Sequence, residues 1–348
     1  MNTKIFCIES VDAKAQDEIF REAADVLRAG GLVVFPTETV YGLGADATDA
    51  TAAGRIYAAK GRPSDNPLIV HIAVPTDAEK YAHTGKTYEK LAELFMPGPL
   101  TVIMPVKPTV PREVTAGLST VALRCPSHPV AHRLLTEAGI PIAAPSANLS
   151  GSPSPTCAKH VIEDMQGRVD IIIDGGDAEI GVESTIVKIE EDDSLTLLRP
   201  GAITLEMLSA VTDNLQVADA VLGELQAGAV ALSPGMKYKH YAPKCPLFLL
   251  DGDKEKALAF LKEKERVAIL CYEEDISYFA QYFKADACFS LGKAQDTREQ
   301  AHRLFTLLRE VDKLNFKEIY APLPTPNGMG MALYNRMIRA AAHNIIRL

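Results

Sequence analysis

AQDEIFREAADVLRAGGLVVFP, residues 15–36, carries the alternation on which the fold reading rests. Its first part sets Ile19, Ala23, Val26 and Leu27 at helical spacing, which predicts an amphipathic helix over 15–29. Gly30-Gly31 stops that helix. Leu32 to Phe35 is a short apolar run closed by Pro36, and it reads as a buried strand. Working outward, the same exchange of helix and strand continues. Helices are expected over 51–59, 88–95 and 204–210, with another opening at Pro129, a residue suited to a first helical turn. Strands are expected over 68–73, 100–105, 121–124, 140–144, 170–174, 184–189 and 195–198. Several neighbouring strands have links too short for a helical crossover, so the class is α/β with a mixed sheet.

From about Gly228 to Pro243 the pattern breaks. GAVALSPGMKYKHYAP has no period over any length and reads as an ordered linker. Beyond it, strands over 247–250, 267–271, 287–291 and 318–321 alternate with helices over 254–263, 300–314 and 332–346. This predicts a smaller open-sheet α/β domain. The expected organisation is a first domain over 8–212, a linker over 213–244 and a second domain over 245–348, the two-domain count that 348 residues favour. No internal repeat or low-complexity tail interrupts it.

Composition narrows the function classes. Hydrophobic residues are 47% and charged residues 23%, ordinary for a soluble chain with a real core. Trp is absent and aromatics are few, so the core is aliphatic. The 23 Gly and 22 Pro suit many tight turns between elements. A net charge of −9 disfavours binding nucleic acid mainly through phosphate neutralisation. The opening MNTKIFCIES lacks a basic stretch leading into a long apolar one, and no apolar run is long enough for a membrane span. A cytoplasmic location is expected. Cys7, Cys125, Cys157, Cys245, Cys271 and Cys288 form no C-x-x-C pair, so they read as small thiols and not as a disulfide or zinc framework.

Familiar signatures fail on inspection. Gly85-Lys86-Thr87 resembles the end of a P-loop, but Lys80 stands where its first Gly belongs. Gly42-Leu-Gly44-Ala-Asp-Ala47 matches a relaxed dinucleotide fingerprint, yet it lies past Pro36 and not at a strand's end. There is no G-x-S-x-G elbow. His128 and His132 lack an acidic partner at metalloprotease spacing.

Four segments survive, each placing small, hydroxyl or basic residues at the end of a buried strand, where ligands bind in α/β folds. Residues 35–44 run from a strand into Thr37, Thr39 and then glycines, which permit close backbone approach. Lys60-Gly61-Arg62, with Asn66 beyond, offers cations suited to phosphate oxygens, although a solvated helix end also favours cations. His71 in the following strand reads on its own as a satisfied core histidine. The loop Pro145-Ser146-Ala147-Asn148-Leu149-Ser150-Gly151-Ser152-Pro153-Ser154 is dense in neutral donors and acceptors. Arg124, Glu183-Ser184-Thr185 and Arg199-Pro200-Gly201 form the fourth group. A buried Arg124 needs a partner, which a substrate carboxylate or phosphate would supply. The set holds cations, hydroxyls and no obvious covalent nucleophile, which suits positioning and charge stabilisation at phosphate.

Lys60-x-Arg62, Ser146-x-Asn148 and PTETVYGLG (36–44) together resemble the YrdC-type threonylcarbamoyl-AMP synthases. Ser233-Pro-Gly235-Met236-Lys-Tyr238-Lys-His240-Tyr241-Ala-Pro243 resembles the linker of the long, two-domain form, so the likeness spans the chain. It implies a twisted mixed sheet enclosing a concave cavity, with a Rossmann-like second domain. It also implies a reaction. Threonine and bicarbonate give a carbamate, which attacks the α-phosphorus of ATP and expels pyrophosphate. A partner transferase complex then carries the product to tRNA.

The resemblance assigns roles as well. Arg124 would pair with the threonine carboxylate, with Thr39, His71, Ala144 and Ser184 lining the threonine pocket. Lys60 and Arg62 would be catalytic. Together with Asn66, Thr120, Ser146, Asn148, Ser154 and Arg199, and with Lys237 and Tyr241 from the linker, they would hold ATP. Mg²⁺ is expected on the phosphates and no dedicated metal ligand set is expected. The linker is expected to act as a lid against water.

Three other readings stay open. A carbamoyltransferase of the hydrogenase-maturation type shares a related domain, though the paired cysteines of its zinc-finger segments are absent. A double-stranded RNA-binding module would use the cavity as a basic platform. The second domain alone is compatible with a regulatory or interaction module, in which Asn327-Gly-Met-Gly330 opens a helix.

Overall fold

In the computed structural model, residues 1–223 and 241–348 are described. They fall into two compact units. The first holds residues 1–150 and 154–223, the second residues 151–153 and 241–348. The expected linker over 228–243 lies mostly outside the described residues, as does Lys237.

The strands of the first unit are β1 Lys4–Cys7, β2 Val33–Phe35, β3 Gly42–Asp46, β4 Ile69–His71, β5 Leu100–Pro105, β6 Thr120–Arg124, β7 Ile142–Ala143, β8 Ile171–Asp174, β9 Thr185–Ile189, β10 Leu195–Arg199 and β11 Leu215–Val217. Its helices are α1 Ala13–Arg28, α2 Ala50–Lys60, α3 Lys86–Phe95, α4 Arg112–Thr115, α5 Pro129–Ala138, α6 Ala158–Met165 and α7 Leu205–Ser209. The strands form one mixed sheet in the order β1-β8-β2-β3-β7-β4-β6-β5-β9-β10-β11. The helix read over 15–29 is α1. The Asp12 carboxylate caps it by accepting from Ala15 N, and Gly30 at φ +76° terminates it. Ile19, Phe20, Ala23, Ala24 and Leu27 form its buried stripe, packed with Val33 and Phe35 of β2 and with Leu134 and Leu135 of α5. Each large side chain so buried contributes roughly 1.5–3 kcal/mol.

In the second unit, β12 Leu247–Asp251, β13 Val267–Cys271, β14 Cys288–Ser290, β15 Glu318–Pro322 and β16 Ile345–Arg347 pair in parallel in the order β14-β13-β15-β12-β16. They alternate with α8 Lys254–Leu261, α9 Ile276–Phe279, α10 Thr297–Val311 and α11 Met329–Ala340. This is the Rossmann-like open sheet expected from the chain's second half.

Several elements differ from the reading. Residues 42–46 are a strand, because Gly42, Leu43 and Gly44 pair with β2 in antiparallel register. The glycines there admit neighbours and not a ligand: a Cβ on Gly44 would lie 2.7 Å from Ile142 Cγ2 and 2.8 Å from Phe35. The helix expected over 332–346 ends at Ala340. Ala342 and His343 take positive φ, and the apolar Ile345 and Ile346 then join β12 as β16. Helices α4, α6 and α9 and edge strands β1 and β11 are further elements that the reading does not include. All six cysteines are free thiols.

Candidate active site

Several of the residues read as functional lie on or beside strand ends of the first unit. His71 on β4, Arg124 on β6 and Thr101 on β5 stand in cross-strand register, so the three side chains share one face. Two residues along each strand, Ile69, Ala122 and Ile103 pack with Ile186 and Leu198 as an apolar floor on that same face. The polar row is thus set against a dry wall, where charge interactions are stronger than in water.

Arg124 and Glu38 form an ion pair, Nη2 to Oε1 at 2.7 Å, with both side chains 5% exposed. Two atoms of the pair, Arg124 Nε and Glu38 Oε2, are buried without a hydrogen-bond partner among the described residues. The partner that the sequence reading sought for Arg124 in a substrate is therefore supplied first by the protein. Glu38 was missed because it sits inside a segment read for its hydroxyls and glycines. Its signal was present: it is the sole charged residue between Arg28 and Asp46. Thr37 and Thr39 flank it, with their hydroxyls 2.9 Å apart, and Thr37 Oγ1 donates to Val40 O.

His71 is buried, its ring edge-on to Phe35, and its Nδ1 lies 3.2 Å from Ile69 O. A carbonyl only accepts, so Nδ1 carries the proton. Burial, then the nearby Arg124 charge, lowers its pKa to about 3, which keeps it neutral. Ala144, just past β7, is tied to the same place by its N–H to Ile69 O.

On the other side of Arg124, the Thr101 and Ser184 hydroxyls are 2.8 Å apart. Arg199, at the end of β10, donates through Nε to Ser184 O at 3.0 Å and through Nη2 to Ser184 Oγ at 3.1 Å. The neighbouring Glu183 carboxylate accepts from Ser154 Oγ. Thr101 gave no sequence signal, since it is a lone hydroxyl inside an apolar strand.

Lys60 closes α2, and Gly61 in the left-handed region turns the chain after it. Lys60 is 3% exposed, and its ammonium donates to Ser146 O at 2.5 Å and to Asn148 O at 2.7 Å. Ser146 Oγ donates to Asn148 Oδ1, and Ser150 N donates back to Lys60 O at 3.0 Å. The Lys60 and Ser146-x-Asn148 signatures, 86 residues apart, thus meet in one knot. Arg62 Nη2 and Tyr57 Oη both donate to Asn66 O, at 3.2 and 3.0 Å. The fully buried Asn66 amide has no partner among the described residues for either its oxygen or its nitrogen.

Two residues stand apart. Thr120 begins β6, four residues from Arg124, and borders a depression of about 440 Å³ with Lys188 and Glu190. Tyr241 belongs to the second unit, where its ring stacks on Phe305 at 5.2 Å and lies beneath Arg336. Among the described residues no helix is long and apolar enough to cross a membrane, and no group of three His, Cys, Asp or Glu is placed to hold a metal ion.

Residues 25–201 match the family model described as Telomere recombination, the Sua5/YciO/YrdC type, and residues 203–342 match the threonylcarbamoyl-AMP synthase C-terminal domain. Threonylcarbamoyl-AMP synthase of Bacillus subtilis is 44% identical, over 100% of both chains. The chain belongs to the threonylcarbamoyl-AMP synthase family. The synthase of Pyrococcus abyssi is 42% identical over 98% of this chain and 99% of its own. A crystal structure of P. abyssi Sua5 complexed with L-threonine superimposes with a TM-score of 0.88 at 40% identity, covering 100% of each chain. The chain is accordingly an enzyme of the long form of that family, an adenylate-forming nucleotidyltransferase that makes threonylcarbamoyl-AMP for tRNA modification.

Proposed function

We propose that the Arg124–Glu38 pair anchors L-threonine and that Lys60, Arg62 and Arg199 hold ATP. The observation that carries this reading is the pair itself: a buried cation and anion, each with one atom still unpartnered. An unsatisfied buried polar group is costly, and a zwitterionic amino acid satisfies both at once. Its carboxylate takes the open edge of Arg124 and its amino group faces Glu38 Oε2. Thr39, neutral His71, Ala144 and Ser184 line the pocket around the side chain. A neutral His71 matters here, because a second cation would compete with the amine.

The amine, once deprotonated, attacks bicarbonate, and loss of water gives the carbamate. A carbamate oxygen attacks the α-phosphorus of ATP and pyrophosphate leaves. Lys60 and Arg62 are the catalytic cations, stabilising charge that grows on phosphate oxygens. Asn66, Thr120, Ser146, Asn148, Ser154 and Arg199 bind the nucleotide. Mg²⁺ enters as part of the substrate, bound to the phosphates of ATP.

The first unit, with β1 through β11 in its sheet, serves as the catalytic domain, and the segment after it links to the second domain. The linker acts as a lid that protects the carbamate and acyl phosphate from water. The enzyme works in the cytoplasm and hands its product to a threonylcarbamoyl transferase complex. Any tRNA or double-stranded RNA contact is weak and local, in keeping with a net charge of −9.

The experiment is pyrophosphate release from MgATP with threonine and bicarbonate omitted in turn, and the nucleotide product weighed by mass spectrometry. Release requiring both, with the mass of threonylcarbamoyl-AMP, is the expected result. Release without threonine overturns the reading. For the lid, truncation before Gly228 is expected to lower product formed per ATP consumed, and an unchanged ratio removes that part.

A further inference from the structure

The second unit has a crevice of its own. Strand β12 connects through α8 to β13, and β13 through α9 to β14, so the first two crossovers run toward one edge of the sheet. Strand β14 connects through α10 to β15, and β15 through α11 to β16, so the last two run toward the other edge. Right-handed crossovers running in opposite directions lie on opposite faces. The outgoing chain of β15 therefore leaves on one face, and those of its neighbours β13 and β12 on the other. Open parallel sheets bind ligands at such a switch point, outside the carboxyl ends of the strands.

A cavity of about 90 Å³ lies there, at the ends of β12, β13 and β15. Its floor is apolar, made by Leu250, Leu261, Ile269, Phe279 and Tyr320. At its mouth Lys254 Nζ and Asp275 Oδ1 form an ion pair at 3.0 Å, with side chains 45% and 18% exposed.

We infer that this cavity binds a free amino acid with a branched aliphatic side chain, of the valine, leucine or isoleucine class. Size sets the side chain. The space is smaller than the roughly 150 Å³ of apolar cavities that admit a benzene ring. A short branched aliphatic group suits it better than an aromatic one. Charge sets the rest. A cation and an anion side by side at the rim of an apolar pocket complement the carboxylate and ammonium of a zwitterion. An ion pair this exposed holds its partners weakly, so the ligand inserts at little cost. No residue of the proposed synthase site takes part.

Isothermal titration of the full chain with L-leucine, L-isoleucine and L-valine tests this, with isobutanol as the uncharged control. Saturable binding of at least one of the three is expected, and Lys254→Met is expected to weaken it at least about tenfold. Lys254 is exposed enough that its loss leaves the fold intact. Ala257→Leu, which fills the cavity, is expected to abolish binding while keeping the wild-type circular dichroism spectrum. No saturation by any of the three up to about 10 mM overturns the inference. So does isobutanol binding as tightly as leucine, or binding that Lys254→Met leaves unchanged.

Discussion

Glu38 and Arg124 are each alone in their stretch of sequence: no other Asp, Glu, Lys or Arg falls between Arg28 and Asp46, or between Glu113 and Arg133. Two solitary opposite charges inside apolar runs point to burial, and burial demands pairing. Removing one partner strands the other. Arg124→Met is therefore expected to cost about 3–5 kcal/mol of stability by urea unfolding at neutral pH. The double variant Arg124→Met with Glu38→Leu is expected to recover most of that, while neither binds threonine. Full stability in Arg124→Met would mean that Glu38 is solvated in solution. His71 adds a pH dependence of known sign. Its folded pKa, about 3, lies below the unfolded value near 6.5. The unfolded chain takes up a proton below pH 6.5 that the folded chain refuses. Stability from this group is thus complete above about pH 6.5 and declines as pH falls toward 3. Between pH 7 and pH 5 the loss is on the order of 2 kcal/mol. His71→Asn is expected to show a correspondingly smaller loss over that interval, and an unchanged loss would assign the acid sensitivity to other groups.

At the scale of elements, the turn after β10 decides how Arg199 meets Ser184. A Cβ on Gly201 would lie 2.5 Å from Thr185 N and 2.9 Å from Ser184 C. That backbone is held firmly: Thr185 N donates to Pro99 O, and the Thr185 hydroxyl both donates to Ile203 O and accepts from Ile203 N. Gly201→Ala is expected to cost about 1–3 kcal/mol. The KM for ATP is expected to rise as the Arg199–Ser184 contact is displaced. A wild-type thermal midpoint in that variant would show the turn to be pliable. The elements read well from sequence are those whose signals are local, such as α1 with its Asp12 cap and Gly30 stop. Strand β3 was not among them. Its two glycines look like a turn, and only the presence of Phe35 and Ile142 on either side makes them a close-packed strand. Strand β16 failed for a similar reason: three residues cannot show a period, and it exists because β12 offers an open edge.

At the scale of the whole molecule, each unit has its own core, one around Phe20, Phe35 and Leu134 and one around Leu261, Ile269 and Tyr320. A ligand that binds one native unit stabilises that unit by mass action, about 2.7 kcal/mol at a hundred times its Kd. L-threonine is expected to slow hydrogen exchange in β4, β6 and β9 and to leave β12, β13 and β15 unchanged. No slowing in β4, β6 and β9 would move the threonine site away from those strands. The class of the fold, the order of most elements and the family signatures were legible in the chain, because hydrophobic period, caps and breakers act over a few residues. The two knots that build the site were not. Lys60 meets Ser146 across 86 residues and Asn148 across 88, and Glu38 meets Arg124 across 86. Such meetings depend on strand order and register. β4 lies between β7 and β6, with His71 opposite Arg124, and that placement comes from burying the apolar faces of all the strands together.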